Sequence, residues 1–201
     1  MSTEIRYDAR RERGMTHTAT TTQVGDSRSV RLLADLTVII TGSLVIAALA
    51  QLTVPLWPVP VSGQTLGILL AGALLGARRG TATVALYIAE GAAGLPFFAG
   101  GRAGIAVLAG PTAGYLIGFV AAVWIVGTLA DRGAMRKPIT AAATMLAATG
   151  VVYLLGCSWL SRFVSTEHVL ALGLYPFVVG DLLKAIVVVL MTSLATQRFS
   201  R

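Results

Sequence analysis

Long segments without a single charged side chain constrain this protein more than any other feature of its sequence. Residues 36–77, 103–130 and 138–161 contain no Asp, Glu, Lys or Arg. Only 12% of the residues are charged, about half of the ~25% that is usual in soluble globular proteins. Such a chain cannot cover a water-facing surface, so we exclude a soluble enzyme and a nucleic-acid-binding domain. We predict an all-α protein that folds in a lipid bilayer.

The distribution of the basic residues agrees with this prediction. The net charge is +7, but the Lys and Arg residues lie in the N-terminal region and in short turns between apolar runs. A nucleic-acid-binding domain gathers them on one face. One cysteine, Cys157, excludes internal disulfides and zinc ribbons. We expect no cofactor and no metal.

Six apolar runs follow a polar N-terminal region. Residues 1–30 are rich in Thr and Arg and lack the apolar core of a signal peptide, so we predict a disordered cytoplasmic tail. Residues 31–201 form the second predicted domain, a compact bundle of six transmembrane helices. Each helix needs roughly 20 apolar residues, or fewer where flanking side chains reach the interface. The runs cover about residues 32–54, 61–75, 81–95, 105–130, 138–160 and 174–196.

Loop charges orient the six predicted spans. Cytoplasmic loops are enriched in Lys and Arg. With six spans, the N-terminal region, the turns at 78–79 and 132–137, and the C-terminal residues all fall on one side. The other side receives only Arg102 and Arg162 as basic residues. We therefore predict a multi-pass protein of the plasma (inner) membrane with both termini in the cytoplasm.

Polar side chains inside the spans converge on the external half of the bundle. Ionisable residues at membrane depth are costly and therefore suggest function. Asp181 and Lys184 are three residues apart and share a helix face, and Glu90 lies near the external end of its own span. Four further residues of that region complete a predicted pocket for a small molecule arriving from outside: Gln64, Arg102, Tyr87 and Tyr115.

Structural roles for these residues remain open at this stage. Asp181 and Lys184 form either a binding site or an internal ion pair that fixes helix packing. Glu90 is either a ligand contact or a protonated carboxyl group, Arg102 either a binding residue or a headgroup anchor, and Gln64 either a contact or a helix cap. The sequence has no cluster with metal-ligand spacing and no Ser–His pair, so we predict no catalytic residues and no enzyme.

Several motifs, in order and with similar spacing, resemble the BioY family of biotin transport proteins. The resemblance extends from about residue 32 to residue 196. The segments that carry it are PVPVSGQT (58–65), LLAGALLG (69–76), GLP (94–96), FAGG (98–101), GPTAGY (110–115), PF (176–177) and GDLLK (180–184).

The resemblance implies the substrate-capture subunit, or S component, of an energy-coupling-factor transporter. A separate transmembrane coupling subunit and two ATPases drive uptake in that family, and no nucleotide-binding motif occurs here. It further implies that Asp181 and Lys184 bind the ureido ring of biotin and that Arg102 binds the valerate carboxylate. Ser43 and Ala47 correspond to the small residues on the first helix that contact the coupling subunit.

Two other functions remain as alternatives. The first is a self-sufficient secondary transporter of biotin or a related vitamin, in which Glu90 or Asp181 carries a coupling proton. The second is an intramembrane enzyme that uses Asp181 as an acid or base. Uptake of biotin as an S component is the function that we predict.

Overall fold

The computed structural model of this protein describes residues 19–199, and it describes side chains from residue 28 to residue 194. This part of the chain contains five long helices and one short helix. They are α1 (Ala19–Gln51), α2 (Gln64–Ala92), α3 (Ala113–Asp131), α4 (Pro138–Leu160), the short α5 (Thr166–Gly173) and α6 (Tyr175–Phe199). An antiparallel pair of strands, β1 (Thr53–Val54) and β2 (Val61–Ser62), joins α1 to α2.

The chain divides into two compact units. The first ends at Val38 and the second begins at Ile39. The candidate site lies wholly in the second unit, where α3 packs against both α2 and α4, and α6 packs against α2 and α4. Among the described residues, four segments are long and apolar enough to cross a membrane: Arg28–Gln51, Ala113–Asp131, Pro138–Leu160 and Thr166–Leu194.

The second and third predicted spans fall within one helical segment, α2, so the helix count differs from the prediction. Gly76 alone interrupts α2, with φ 76° and ψ −178°, a backbone conformation that glycine adopts without strain. Yet Gln64 and Tyr87 are hydrogen-bonded at 2.6 Å, whereas a straight helix would separate them by about 35 Å. The segment therefore folds back at Gly76, and a one-residue turn replaces the predicted loop.

Helix α1 begins earlier than predicted. Of the predicted disordered tail, residues 1–18 lie outside the described residues, but residues 19–30 belong to α1. The prediction is therefore wrong for residues 19–30. A helix nucleated by an apolar span extends into adjacent polar residues at little cost, and composition does not reveal where that extension stops.

Glycine residues allow close contacts between helices of the second unit. A Cβ atom added at Gly118 of α3 would lie 2.9 Å from Val152 Cα of α4. A Cβ atom added at Gly72 of α2 would lie 2.8 Å from Val126 Cβ of α3. Side chains at these positions would push the helices apart, so glycine permits the close approach that favours helix association in lipid.

We expect Gly118→Ala to lower the thermal stability of the purified protein in detergent. The added methyl group meets the backbone of Val152, and overpacking of this kind costs about 1–3 kcal/mol. Gly150→Ala on α4 is the matched control, because an added Cβ atom there has nothing within 4 Å and alanine is the better helix former. Equal changes in melting temperature for the two variants would contradict this account of the packing.

Candidate functional site

A pocket of about 530 Å³, including space open to solvent, lies in the second unit. Its wall is apolar over most of its surface and includes the phenyl rings of Phe98, Phe119 and Phe177. Polar side chains enter the wall from β2, α2, the loop before α3, and α3, α4 and α6. They are Ser62, Gln64, Thr65, Arg102, Thr112, Tyr115, Tyr153, Asp181 and Lys184. This composition is typical of a small-molecule site, in which few polar groups orient a ligand against apolar walls.

The β-hairpin and the first turn of α2 bring three of these polar residues together. Strand β1 pairs with β2 in the register Thr53 to Ser62, which fixes Ser62 at the end of the hairpin. Helix α2 begins two residues later, at Gln64. The four residues from Ser62 to Thr65 therefore bring three polar side chains to one wall of the pocket. The fourth residue is Gly63, which has no side chain.

The Asp181 carboxylate is buried, and both of its oxygens accept hydrogen bonds. Its side chain is 2% exposed, and Oδ1 accepts hydrogen bonds from Lys184 Nζ and Thr65 Oγ1, both at 2.7 Å. Its Oδ2 atom accepts a hydrogen bond from the Tyr153 hydroxyl, also at 2.7 Å. The Asp181 network, defined as Asp181, Lys184, Thr65, Tyr153 and the Ser62 carbonyl, links β2 with α2, α4 and α6.

Lys184 uses all of its donor capacity within this network. Besides its bond to Asp181, Nζ donates to the Ser62 carbonyl oxygen at 2.6 Å and to Thr65 Oγ1 at 2.8 Å. An ammonium group has three donors, so each one already has an acceptor. The ion pair considered from the sequence is therefore present. A ligand that contacts Lys184 must replace one of these acceptors.

Gln64 is hydrogen-bonded both to Ser62 in the pocket wall and to Tyr87, which lies behind the wall. Its Oε1 accepts a hydrogen bond from the Ser62 hydroxyl at 2.8 Å, and its Nε2 donates to the Tyr87 oxygen at 2.6 Å. The Tyr87 hydroxyl in turn donates to the Phe97 carbonyl oxygen at 3.1 Å. At the start of α2 the Ser62 hydroxyl accepts a hydrogen bond from the backbone N–H of Gln64 at 3.4 Å. The Gln64 side chain is used in the two bonds above, so the helix-cap role considered from the sequence is not found for Gln64.

Arg102 lies in a tight turn between α2 and α3. Phe98 and Arg102 form an antiparallel bridge, and Gly100 and Gly101 between them have φ of 69° and 74°, values that glycine adopts readily. The Arg102 Nε donates to the Ala99 carbonyl oxygen at 3.3 Å. Among the described residues, no acidic side chain pairs with this half-buried guanidinium.

The surroundings of Arg102 are unfavourable for an isolated cation. Burial lowers the pKa of the Arg102 guanidinium, and its interaction with Tyr87 partly opposes that shift. Arginine nevertheless stays protonated in proteins. The pocket wall therefore contains a partly desolvated positive charge, and an anionic ligand would compensate it.

The structure brings together five of the seven residues predicted for the pocket: Asp181, Lys184, Arg102, Gln64 and Tyr115. The Tyr115 ring lines the pocket, but its hydroxyl donates to the Gly173 carbonyl oxygen at 2.7 Å. Tyr87 lies behind Gln64 instead of in the wall. Glu90 is also absent from the wall, and its Oε2 is buried without a hydrogen-bond partner among the described residues.

Thr65, Tyr153 and Phe177 are pocket residues that our sequence analysis did not single out as ligand contacts. Thr65 and Phe177 belong to motifs that carry the family resemblance, and that signal could have identified them. Tyr153 lies within a largely apolar helix, and a tyrosine hydroxyl buried there usually has a hydrogen-bond partner. That partner is Asp181, which lies 28 positions away in the sequence.

Ser43 and Ala47 do not lie on an available surface. Their exposed fractions are 0% and 6%, and the Ser43 hydroxyl donates to the Ile40 carbonyl oxygen of its own helix at 2.9 Å. Their small size serves packing inside the second unit, and a contact of these two residues with a coupling subunit stays a prediction.

Comparison with known proteins places this site in a family. The chain matches the BioY family over residues 15–201. This chain belongs to the BioY family. It is 40% identical over 142 residues to the probable biotin transporter BioY of Pyrococcus horikoshii, covering 71% of this chain and 83% of the relative. It is 37% identical over 161 residues to the biotin transporter BioY2 of Lactococcus lactis subsp. cremoris, covering 78% and 86%.

A solved structure of related fold agrees with this assignment. The crystal structure of the S component for biotin from an ECF-type ABC transporter superposes with a TM-score of 0.75 at 28% identity, covering 83% of this chain and 93% of that chain. Membership of the BioY family, together with the four apolar segments, identifies a multi-pass membrane protein. Since this is a family of transporters, the expectation that the chain is not an enzyme is confirmed.

Proposed function

We propose that this protein binds biotin in the pocket described above and mediates its uptake as the S component of an energy-coupling-factor transporter. The observation that carries the proposal is Arg102, a half-buried cation in the pocket wall with no acidic partner among the described residues. Biotin carries a carboxylate, and a guanidinium can engage both oxygens of that group. The related proteins, named as biotin transporters, support the same ligand.

The Asp181 network suits the other end of biotin. The ureido ring has two N–H donors and one carbonyl acceptor. Asp181 accepts one N–H at Oδ2, which has only the Tyr153 hydroxyl as a donor at present. Lys184 donates to the ureido carbonyl in place of the Ser62 carbonyl or Thr65. Charge-assisted hydrogen bonds of this kind are about twice as strong as neutral ones. The apolar rings of Phe98, Phe119 and Phe177 cover the thiophane ring and alkyl chain.

The topology that we propose has six spans, with both termini on the cytoplasmic side of the plasma membrane. The return of α2 at Gly76 supports two antiparallel spans within that segment. The neighbouring Arg78 and Arg79 then lie at the cytoplasmic turn, as the loop charges predict. A transmembrane coupling subunit and ATPase subunits supply the energy, because the sequence has no nucleotide-binding motif of its own.

Biotin binding and uptake test the proposal in two stages. Titration calorimetry on the purified, detergent-solubilised protein should show saturable, one-to-one binding of biotin, and the absence of binding would refute the proposed ligand. Uptake of labelled biotin should then require a coupling module. Uptake that persists in cells lacking such modules, and that stops when a protonophore collapses the proton gradient, would instead favour a secondary transporter. The buried, unpartnered Glu90 Oε2 makes this alternative worth measuring.

A further inference from the structure

Thr112 carries a buried hydroxyl group that nothing in the described part of the chain satisfies. The residue is 7% exposed and lines the pocket, and its Oγ1 atom has no hydrogen-bond partner among the described residues. Buried polar groups in folded proteins nearly always have a partner. An unpaired buried hydroxyl costs free energy unless a bound molecule supplies the missing hydrogen bond.

Thr112 occupies a position in which a threonine hydroxyl normally makes a hydrogen bond. Thr112 is the N-cap residue of α3, where threonine usually bonds a free backbone N–H of the first turn. Here the side chain makes no capping hydrogen bond, while the Thr112 carbonyl oxygen accepts from the N–H groups of Tyr115 and Leu116. Within the described residues, the hydroxyl therefore bonds neither the helix nor a neighbouring side chain.

Contacts with α4 place Thr112 toward one end of the pocket. Trp159 Nε1 of α4 donates to the Gly110 carbonyl oxygen, two residues before Thr112, whereas Tyr153 of α4 bonds Asp181. Six residues of helix separate these two anchor points by about 9 Å. Thr112 thus lies away from the Asp181 network, in the same loop segment as Arg102 and at the N-terminus of α3, where the helix dipole favours an anion.

We infer that Thr112 is a second carboxylate-binding residue of the pocket, with its hydroxyl donating to the ligand carboxylate that Arg102 neutralises. The inference rests on the proposed function and adds to it a determinant of specificity. A guanidinium alone binds many anions, whereas a fixed hydroxyl in the same pocket wall selects a carboxylate at one depth and orientation. An analogue without a free carboxylate should gain much less from Thr112, because a neutral oxygen accepts a weaker hydrogen bond.

Thr112→Val tests the inference, because valine keeps the shape and removes the hydroxyl. We expect the affinity for biotin, measured by titration calorimetry, to fall about 10- to 100-fold, the usual range for a hydrogen bond to a charged group. Thr112→Ser should retain most of the affinity. Biotin methyl ester, whose neutral carbonyl accepts only a weaker hydrogen bond, should lose much less affinity than biotin in Thr112→Val. The melting temperature of the unliganded Thr112→Val protein should not fall, since no internal hydrogen bond is lost.

Thr144→Val is the matched control. Thr144 is also buried, but it lies outside the pocket wall and its hydroxyl donates to the Thr140 carbonyl oxygen at 2.8 Å. This variant should lower the melting temperature and leave the biotin affinity unchanged, the reverse of the pattern for Thr112→Val.

Three results would overturn the inference while leaving the proposed function intact. They are wild-type affinity in Thr112→Val, equal losses in Thr112→Val and Thr112→Ser, or equal losses for biotin and its methyl ester. Failure of the wild-type protein to bind biotin would overturn the proposed function itself.

Discussion

Replacing Asp181 by Asn is expected to weaken biotin binding about tenfold or more, while the protein still inserts into the membrane. The carboxylate is the centre of the Asp181 network and holds three hydrogen-bond donors, from Lys184, Thr65 and Tyr153. An Asn side chain presents an NH₂ group where one of those donors now points. It also leaves the Lys184 ammonium without a counter-charge, and breaking a buried ion pair costs about 3–5 kcal/mol. Titration calorimetry of the purified variant measures the affinity, and its yield in membranes measures insertion.

A double variant separates the loss of binding from the loss of stability. Asp181→Asn combined with Lys184→Met removes both charges, and replacing an entire buried pair is often neutral. We therefore expect the double variant to recover much of the melting temperature lost by Asp181→Asn but none of the biotin affinity. Unchanged affinity in the single variant would exclude Asp181 from the binding site.

Replacing Arg102 by Gln is expected to reduce the affinity for biotin about 30-fold to several-thousand-fold. Truncating one partner of a buried, hydrogen-bonded charge pair costs about 2–5 kcal/mol, which corresponds to that range of binding constants. The loss should be much smaller for biotin methyl ester, which offers no carboxylate to the guanidinium. Arg102→Lys should recover only part of the affinity, since an ammonium group lacks the planar fork of arginine.

Arg162→Gln provides the matched control for this prediction. Arg162 is exposed, stacks over the Trp159 ring with its Cζ atom 4.4 Å from the ring centroid, and lies outside the pocket wall. Its replacement removes the same charge from the protein and should leave biotin binding unchanged. If both variants lost affinity equally, the effect would reflect net charge and not a contact made by Arg102.

Charge distribution and apolar runs predicted much of the fold, because both reflect the solvent in which the chain folds. The apolar runs indicated helices in a bilayer, and four of the six appear among the candidate spans. The form of the turn in α2 could not be predicted. It depends on one glycine conformation and on a hydrogen bond from the Ala77 N–H to Asp131 Oδ2 at 3.0 Å, and a contact over 54 positions leaves no local pattern.

Pocket residues could be predicted from the sequence where a side chain is unusual for the residues around it. Asp181, Lys184 and Arg102 are charges within or beside apolar runs, so their cost alone indicated a role. Glu90 satisfied the same criterion, yet the structure does not bring it to the pocket wall, because depth along a helix does not determine which way a side chain faces. The hydroxyl groups of Thr112 and Tyr153 gave no such signal, since isolated Thr and Tyr residues are common in membrane helices.

The Asp181 network also bears on which molecules the pocket rejects. Because each Lys184 donor already has an acceptor, a ligand that bonds Lys184 must replace an acceptor that is already present. A molecule that displaces such an acceptor without restoring its hydrogen bonds would leave a buried polar group unpaired, and such mismatches are penalised heavily. The difference in affinity between the true ligand and its close chemical relatives should therefore be larger than the strength of the ligand's own contacts would suggest.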